Sequence, residues 1–191
     1  MARTPSTMQA LGTPAPDFAL PDTEGGVVRL SDFDDAKALV VAFICNHCPY
    51  VIHIADALAA FARRYQARGV AFVAISANDA DNYPQDGPDE MRTEKALRGY
   101  PFPYLYDESQ AVARAYRAAC TPDLFVYNAD RALFYRGQFD SARPGNDAPV
   151  TGVDLAAALE ALLEGAQPPV EQRPSMGCNI KWKPGNAPDY F

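Results

Sequence analysis

The chain has 191 residues, 48% of them hydrophobic and 21% charged, with a formal net charge of −7. That length suits one domain with a sizeable core better than two small ones, and the composition is ordinary for a soluble globular protein. The acidic balance argues against nucleic acid as the main partner, because phosphate binding needs clustered Lys and Arg, and against an anionic membrane surface.

Residues 1–11 are polar and uncommitted, and read as a loose arm. They show no apolar leader, and no stretch of the chain approaches the ~20 apolar residues of a membrane span. The cytoplasm is therefore the expected compartment. There, the four cysteines are expected to be catalytic or metal-binding, not structural staples. Ala15 to Pro21 alternates apolar and polar residues between prolines, which predicts a short edge strand. Asp22 to Gly26 is turn chemistry, and Val27 to Leu30 reads as the return strand of a hairpin. Ser31 to Phe33 reads as a short helical turn.

Ala38 to Phe43 is a short, unbroken, Val-rich run, the pattern of a buried strand. From about Pro49 to Gln66 the apolar residues fall at helical spacing, with Pro49 suited to the first turn. Between the two lies Cys45-Asn46-His47-Cys48. Unpaired N–H groups and the positive dipole end of a helix stabilise an anion there, and the thiolate is the reactive form of cysteine. A C-x-x-C at a strand-to-helix turn reads as a thioredoxin-like redox motif. Two small buried core cysteines are the plainer reading, weakened by the polar pair between them.

Gly69 ends the helix, and Val70 to Ser76 is a second buried strand, so that a parallel pair with a right-handed crossover is expected. The polar segment from Asn78 to Asp89 is too long for a simple turn, and such segments are often functional loops. Glu90 to Arg98 reads as helix and Tyr104 to Tyr106 as a short strand. Ser109 reads as the N-cap of a helix through Ala119. Leu124 to Tyr127 and Ala132 to Gly137 form a predicted hairpin. Asp140 to Val150 reads as loop, followed by a last amphipathic helix from Val153 to Glu164. From Ala166 the composition shifts to Pro, Gln and Gly. The island from Ser175 to Trp182 is expected to belong to a tail lying on the body. The predicted organisation is an arm (1–11), one domain (12–165) and that tail (166–191).

This order of elements resembles the thioredoxin-like fold of the peroxiredoxin and redoxin branch, with a central mixed sheet, flanking helices and an N-terminal hairpin. Gly12 to Leu20 followed by Gly25, Leu30 and Ser31 is similar to that branch's entry. Phe43 to Val51, Thr121 to Phe125, Tyr135 to Asp140 and Gly177 to Lys183 resemble a bacterial group of peroxiredoxin-like, thioredoxin-family proteins. The resemblance implies that Pro122, after Thr121, is a cis-proline beside the active cysteine, which would bring Cys120 near as well. A trans-proline opening an edge strand is the alternative.

Aligning Phe43 with the central-strand Phe of thioredoxins puts Cys48 at the attacking position; aligning the C-x-x-C itself would make Cys45 the attacker. Cys48 is preferred because it adjoins Pro49 and the helix start. Cys45, Cys120 and Cys178 are the candidate resolving cysteines. His47 either exchanges protons with the thiol or is a solvent-facing turn residue. The chain departs from peroxiredoxins where Cys45 and Val41 stand in place of their Thr or Ser and their Pro, and where Thr121 to Leu124 lacks their activating Arg. The expected function is that of a thiol–disulfide oxidoreductase with weak thiol peroxidase activity and no cofactor, acting as a monomer or homodimer. A disulfide or peroxide would be its substrate, and thioredoxin or glutathione its reductant. A four-cysteine zinc or iron–sulfur site, or a binding module without turnover, is the alternative.

Overall fold

The apolar run from Ala38 to Phe43 forms the centre of a five-stranded sheet, and the rest of the chain is placed against it. The computed structural model describes residues 3–190. Its first strands are β1 (Arg3–Pro5), β2 (Ala19–Pro21), β3 (Val27–Arg29) and β4 (Ala38–Phe43), with a 3-10 turn at Leu30–Phe33. Helix α1 (Pro49–Gln66) leads to β5 (Val70–Ser76), and helix α2 (Pro88–Arg98) to β6 (Tyr104–Tyr106). Helix α3 (Ala111–Ala115), β7 (Cys120–Thr121), β8 (Asp123–Asn128), β9 (Leu133–Gly137), α4 (Val153–Leu163) and β10 (Met176–Asn179) complete the chain.

Strand β4 pairs parallel with β5 and antiparallel with β8, giving the sheet order β6-β5-β4-β8-β9. A strand covered on both faces has no polar side to alternate, which is why all six residues of β4 are apolar and buried. Val40 and Ala42 pack on α1, α4 and Met91 of α2. Leu39, Val41 and Phe43 pack on Ala113 of α3, on Tyr116, and on Phe18 and Leu20 of the N-terminal hairpin. The sheet is thus mixed and flanked by helices on both faces, as in thioredoxin-like proteins. Among the described residues no helix is long and apolar enough to cross a membrane.

Three elements differ from their sequence-based expectations. The arm is tied down: Arg3, Thr4 and Pro5 pair with Cys178, Gly177 and Met176. The tail supplies β10, the middle strand of a second, antiparallel sheet of order β1-β10-β7. Pairing partners more than 170 residues apart in sequence leave no local pattern, so neither strand shows in the periodicity.

The helix expected from Ser109 to Ala119 is only Ala111–Ala115, and its N-cap is Gln110, with φ of 62°. The Ser109 hydroxyl turns back onto Asp107, whose other carboxylate oxygen accepts the Ala113 N–H at 2.8 Å. At the far end Arg117 takes φ of 50°, which stops the helix and frees Cys120 and Thr121 for β7.

Candidate active site

Cys48 is the N-cap of α1 and has extended backbone angles (φ −71°, ψ 120°), with Pro49 next in the first turn. Its carbonyl accepts the Ile52 N–H at 2.9 Å, the first bond of the helix. Facing it is the Thr121–Pro122 peptide, which is cis. The Cys48 thiol donates to the Thr121 carbonyl at 3.1 Å, and Cys45 Sγ lies 3.4 Å from Thr121 Oγ1. In the register of the second sheet, Cys178 stands directly opposite Thr121. Gly177 passes so close to this peptide that an added Cβ would sit 2.0 Å from the Thr121 carbonyl oxygen. Backbone contact at that distance admits glycine only.

The cysteines therefore gather around one dipeptide, Thr121–Pro122, but they are not equivalent. The Cys48 thiol is lowered to about 5. The Cys45 thiol, donating to it, is the main cause; the Cys178 thiol, the Thr121 hydroxyl and the Val51 N–H also donate, and burial opposes them. The Val51 N–H, at the helix start on which the sequence argument relied, contributes least among these donors. The same interaction, reinforced by burial and by Asp86, holds the Cys45 thiol well above its ordinary value. Burial, and then the neighbouring Cys48, push Cys178 up to about 12. Cys120 is raised by burial, and its thiol turns to the Pro122 carbonyl at 3.5 Å. Of the four thiols only Cys48 is lowered, and the other three are raised.

The second part of the site was not foreseen as a residue, although its loop was. Asp86, fully buried at the end of the 3-10 turn Pro84–Asp86, accepts the N–H groups of Asn46 at 2.9 Å and His47 at 3.3 Å. Its other oxygen accepts from Asn78 at 2.8 Å and meets His47 Nδ1 at 2.5 Å. Asn46 is held further by the Tyr104 hydroxyl, which donates to it at 3.0 Å, and by the Gln85 carbonyl. His47 stacks on Tyr83, with ring centroids 5.8 Å apart. The side chain of His47 points to this carboxylate and is only partly exposed. The length of the polar segment between β5 and α2 was the one signal for Asp86.

Metal binding was the rival chemistry. Among the described residues, the ligand-type atoms that lie within 4.8 Å of one another belong to Cys45, His47 and Asp86, and no group of three thiols meets that condition. Neighbouring ligands of a four-coordinate ion at ~2.0–2.2 Å stand about 3.3 Å apart. The 2.5 Å between His47 Nδ1 and Asp86 Oδ2 is far shorter, so these two atoms form a directly contacting pair, not two ligands spaced for an ion.

Every cysteine is at most 2% exposed. A narrow cleft lined by Tyr50, Ile54, Pro122, Phe139 and Met176 leads to the cis peptide, and a second groove, lined by Asn46, His47, Gln85, Glu90 and Glu94, runs over the redox turn.

A thioredoxin-like fold with a low-pKa thiol at the first turn of α1, facing a cis-proline, defines the class as thiol-dependent redox proteins of the peroxiredoxin-like kind. Residues 11–136 match the model of the AhpC/TSA family, and the chain belongs to that family. It is 26% identical over 183 residues to a 1-Cys peroxiredoxin B from Oryza sativa subsp. indica, covering 92% of this chain and 80% of that one. The crystal structure of a hypothetical protein from Sinorhizobium meliloti is 52% identical with a TM-score of 0.94, covering 95% of this chain and all of the other. The thioredoxin domain of a thiol-disulfide oxidoreductase from Bacteroides vulgatus is 15% identical with a TM-score of 0.57, covering 68% of this chain and 89% of the other. That last likeness is one of fold alone.

Proposed function

We propose that the protein is a thiol–disulfide oxidoreductase with slow thiol peroxidase activity, in which the Cys48 thiolate attacks. The observation that carries this reading is the Cys48 sulfur held between the Cys45 and Cys178 thiols against the cis Thr121–Pro122 peptide. Attack on a disulfide forms a bond from Cys48 to one substrate sulfur and expels the other as a thiolate. Attack on a peroxide breaks the O–O bond, leaving a Cys48 sulfenic acid and releasing water or an alcohol. A second thiol then attacks the Cys48 sulfur and expels the substrate thiol or water, closing an intramolecular disulfide. An external dithiol or two glutathione molecules return both electrons.

With every cysteine buried, a disulfide of any bulk needs β10 to lift from β7 before it reaches Cys48. The absence of an Arg at Thr121 to Leu124 and the presence of Cys45 in the Thr/Ser place remove groups that polarise a peroxide, so peroxidase turnover is the slower activity. The reading is tested by titrating the reduced protein with hydrogen peroxide and with a small disulfide, then mapping the disulfides by mass spectrometry. A disulfide that includes Cys48, together with loss of both activities in Cys48→Ser, is expected. Full activity in that variant would refute the assignment.

A further inference from the structure

The reaction just described leaves a difficulty at its second step. Whichever thiol resolves Cys48 must lose its proton, and both close candidates hold theirs tightly. Cys178 lies on β10 opposite the Thr121 backbone. Cys45 has the His47–Asp86 pair within 4.8 Å of its sulfur.

We infer that the His47–Asp86 pair is the proton acceptor for Cys45, and that this makes Cys45 the resolving thiol. The inference rests on Cys48 being the attacker and deepens that reading. The geometry has three parts. The imidazole nitrogen and carboxylate oxygen face each other at 2.5 Å, yet Nδ1 has no aligned hydrogen-bond partner, so a proton arriving between them is held by both. The pair is anchored on the redox turn itself: the oxygen of Asp86 that does not meet His47 takes the Asn46 and His47 N–H groups, so Cys45, His47 and Asp86 move together. A base within hydrogen-bond reach of the proton it takes, directly or through one water, is in range, and such contacts are often long before the reacting complex forms.

The groups around the pair are few. Tyr83 stacks on His47, with Lys181 Nζ 5.9 Å from the centroid of that Tyr83 ring on its own segment. Glu90 and Glu94 of α2 line the groove beside His47, and Tyr104 of β6 reaches the turn through Asn46. Asn78 is the neutral donor to Asp86 from the end of β5.

The step balances without a further reagent. Cys45 transfers its proton to the pair, its sulfur bonds to Cys48, and the Cys48–substrate bond breaks. The departing thiolate takes the proton back from the pair. From the sulfenic acid, the departing hydroxide leaves as water by the same transfer.

The test is stopped-flow measurement of disulfide closure after a pulse of peroxide, across pH, in wild type, Asp86→Asn and His47→Gln, with the disulfide mapped in each. Formation of Cys48 sulfenic acid is read separately by a sulfenate-trapping probe. The expected result is a Cys45–Cys48 disulfide whose closure slows tenfold or more at neutral pH in both variants. That loss should be recovered as the pH rises and hydroxide replaces the pair, while trapping of Cys48 continues. Because Asp86→Asn also alters a buried anchor, the partly exposed His47→Gln carries the decision if the first variant unfolds. Closure as fast as wild type in His47→Gln, or a Cys48–Cys178 product, would overturn the inference alone. Absence of any Cys48 oxidation in wild type would overturn both it and the attacking role of Cys48.

Discussion

At the scale of single residues, the site is an arrangement of unequal thiols. Cys48 ionises low because three side chains and one backbone N–H donate to it, whereas Cys45 ionises high chiefly through that same contact and Cys178 chiefly through burial. A titration of thiolate ultraviolet absorbance should therefore show one thiolate with a midpoint near pH 5, absent in Cys48→Ser. Cys45→Ala removes the strongest donor and should move that midpoint upward, by more than Thr121→Val does. Linkage fixes the sign for stability. The unfolded chain holds the Cys48 proton up to its ordinary value of 9.0, whereas the folded chain releases it near 5. The stabilisation from this group is thus complete above about pH 9 and is lost as pH falls through 5. Cys178, raised to about 12, works oppositely: its contribution is present below pH 9 and lost as pH rises to 12. Denaturation midpoints measured across pH should rise from pH 5 toward neutrality in wild type, and Cys48→Ser should flatten that rise.

At the scale of elements, two segments that look accessory in sequence complete the site. Strand β10 roofs Cys48 and brings Cys178 to Thr121, and its approach depends on Gly177 having no side chain. Gly177→Ala would force Cβ against backbone that cannot yield, and overpacking of that kind costs about 1–3 kcal/mol. The expected outcome is a lower denaturation midpoint together with faster alkylation of Cys48 and faster proteolysis between α4 and β10. An unchanged alkylation rate would mean that β10 is not the roof. The loop between β5 and α2 contributes Asp86, which meets two N–H groups of the turn that a C-x-x-C alone leaves unsatisfied. Its length flagged it as functional. Which of its several Asp residues faces inward depended on where the 3-10 turn at Pro84 set the chain down.

At the scale of the molecule, arm, domain and tail do not behave as three parts. The tail buries Cys178 in one core and Ile180 in the other, and Ser175 donates to the Gly137 carbonyl. Farther along, the Lys181 backbone pairs with Asn78 and Asp79, and the Lys183 N–H with Gln110. Deleting residues 166–191 would therefore strip partners from β7, from both cores and from the redox loop. The truncated chain is expected to lose its sharp unfolding transition and near-ultraviolet dichroism. A truncated protein that unfolds as cooperatively as the full chain would show the tail to be an appendage.

What the sequence by itself determined is the part written in short-range pattern. The bounds of β4 and α1, the hairpin of β8 and β9 and the C-x-x-C at the helix start all follow from periodicity and turn residues. The place of Pro122 came from resemblance, because a cis peptide has no signature in spacing. Tertiary structure alone decided the pairing of β1 with β10, the early end of α3 at Tyr116, and the convergence of Cys45, Cys48 and Cys178 on Thr121. It also decided which carboxylate stands beside His47. These are contacts between residues tens to more than a hundred positions apart, and they are settled by how two sheets and a loop pack. No local propensity encodes a partner at that distance.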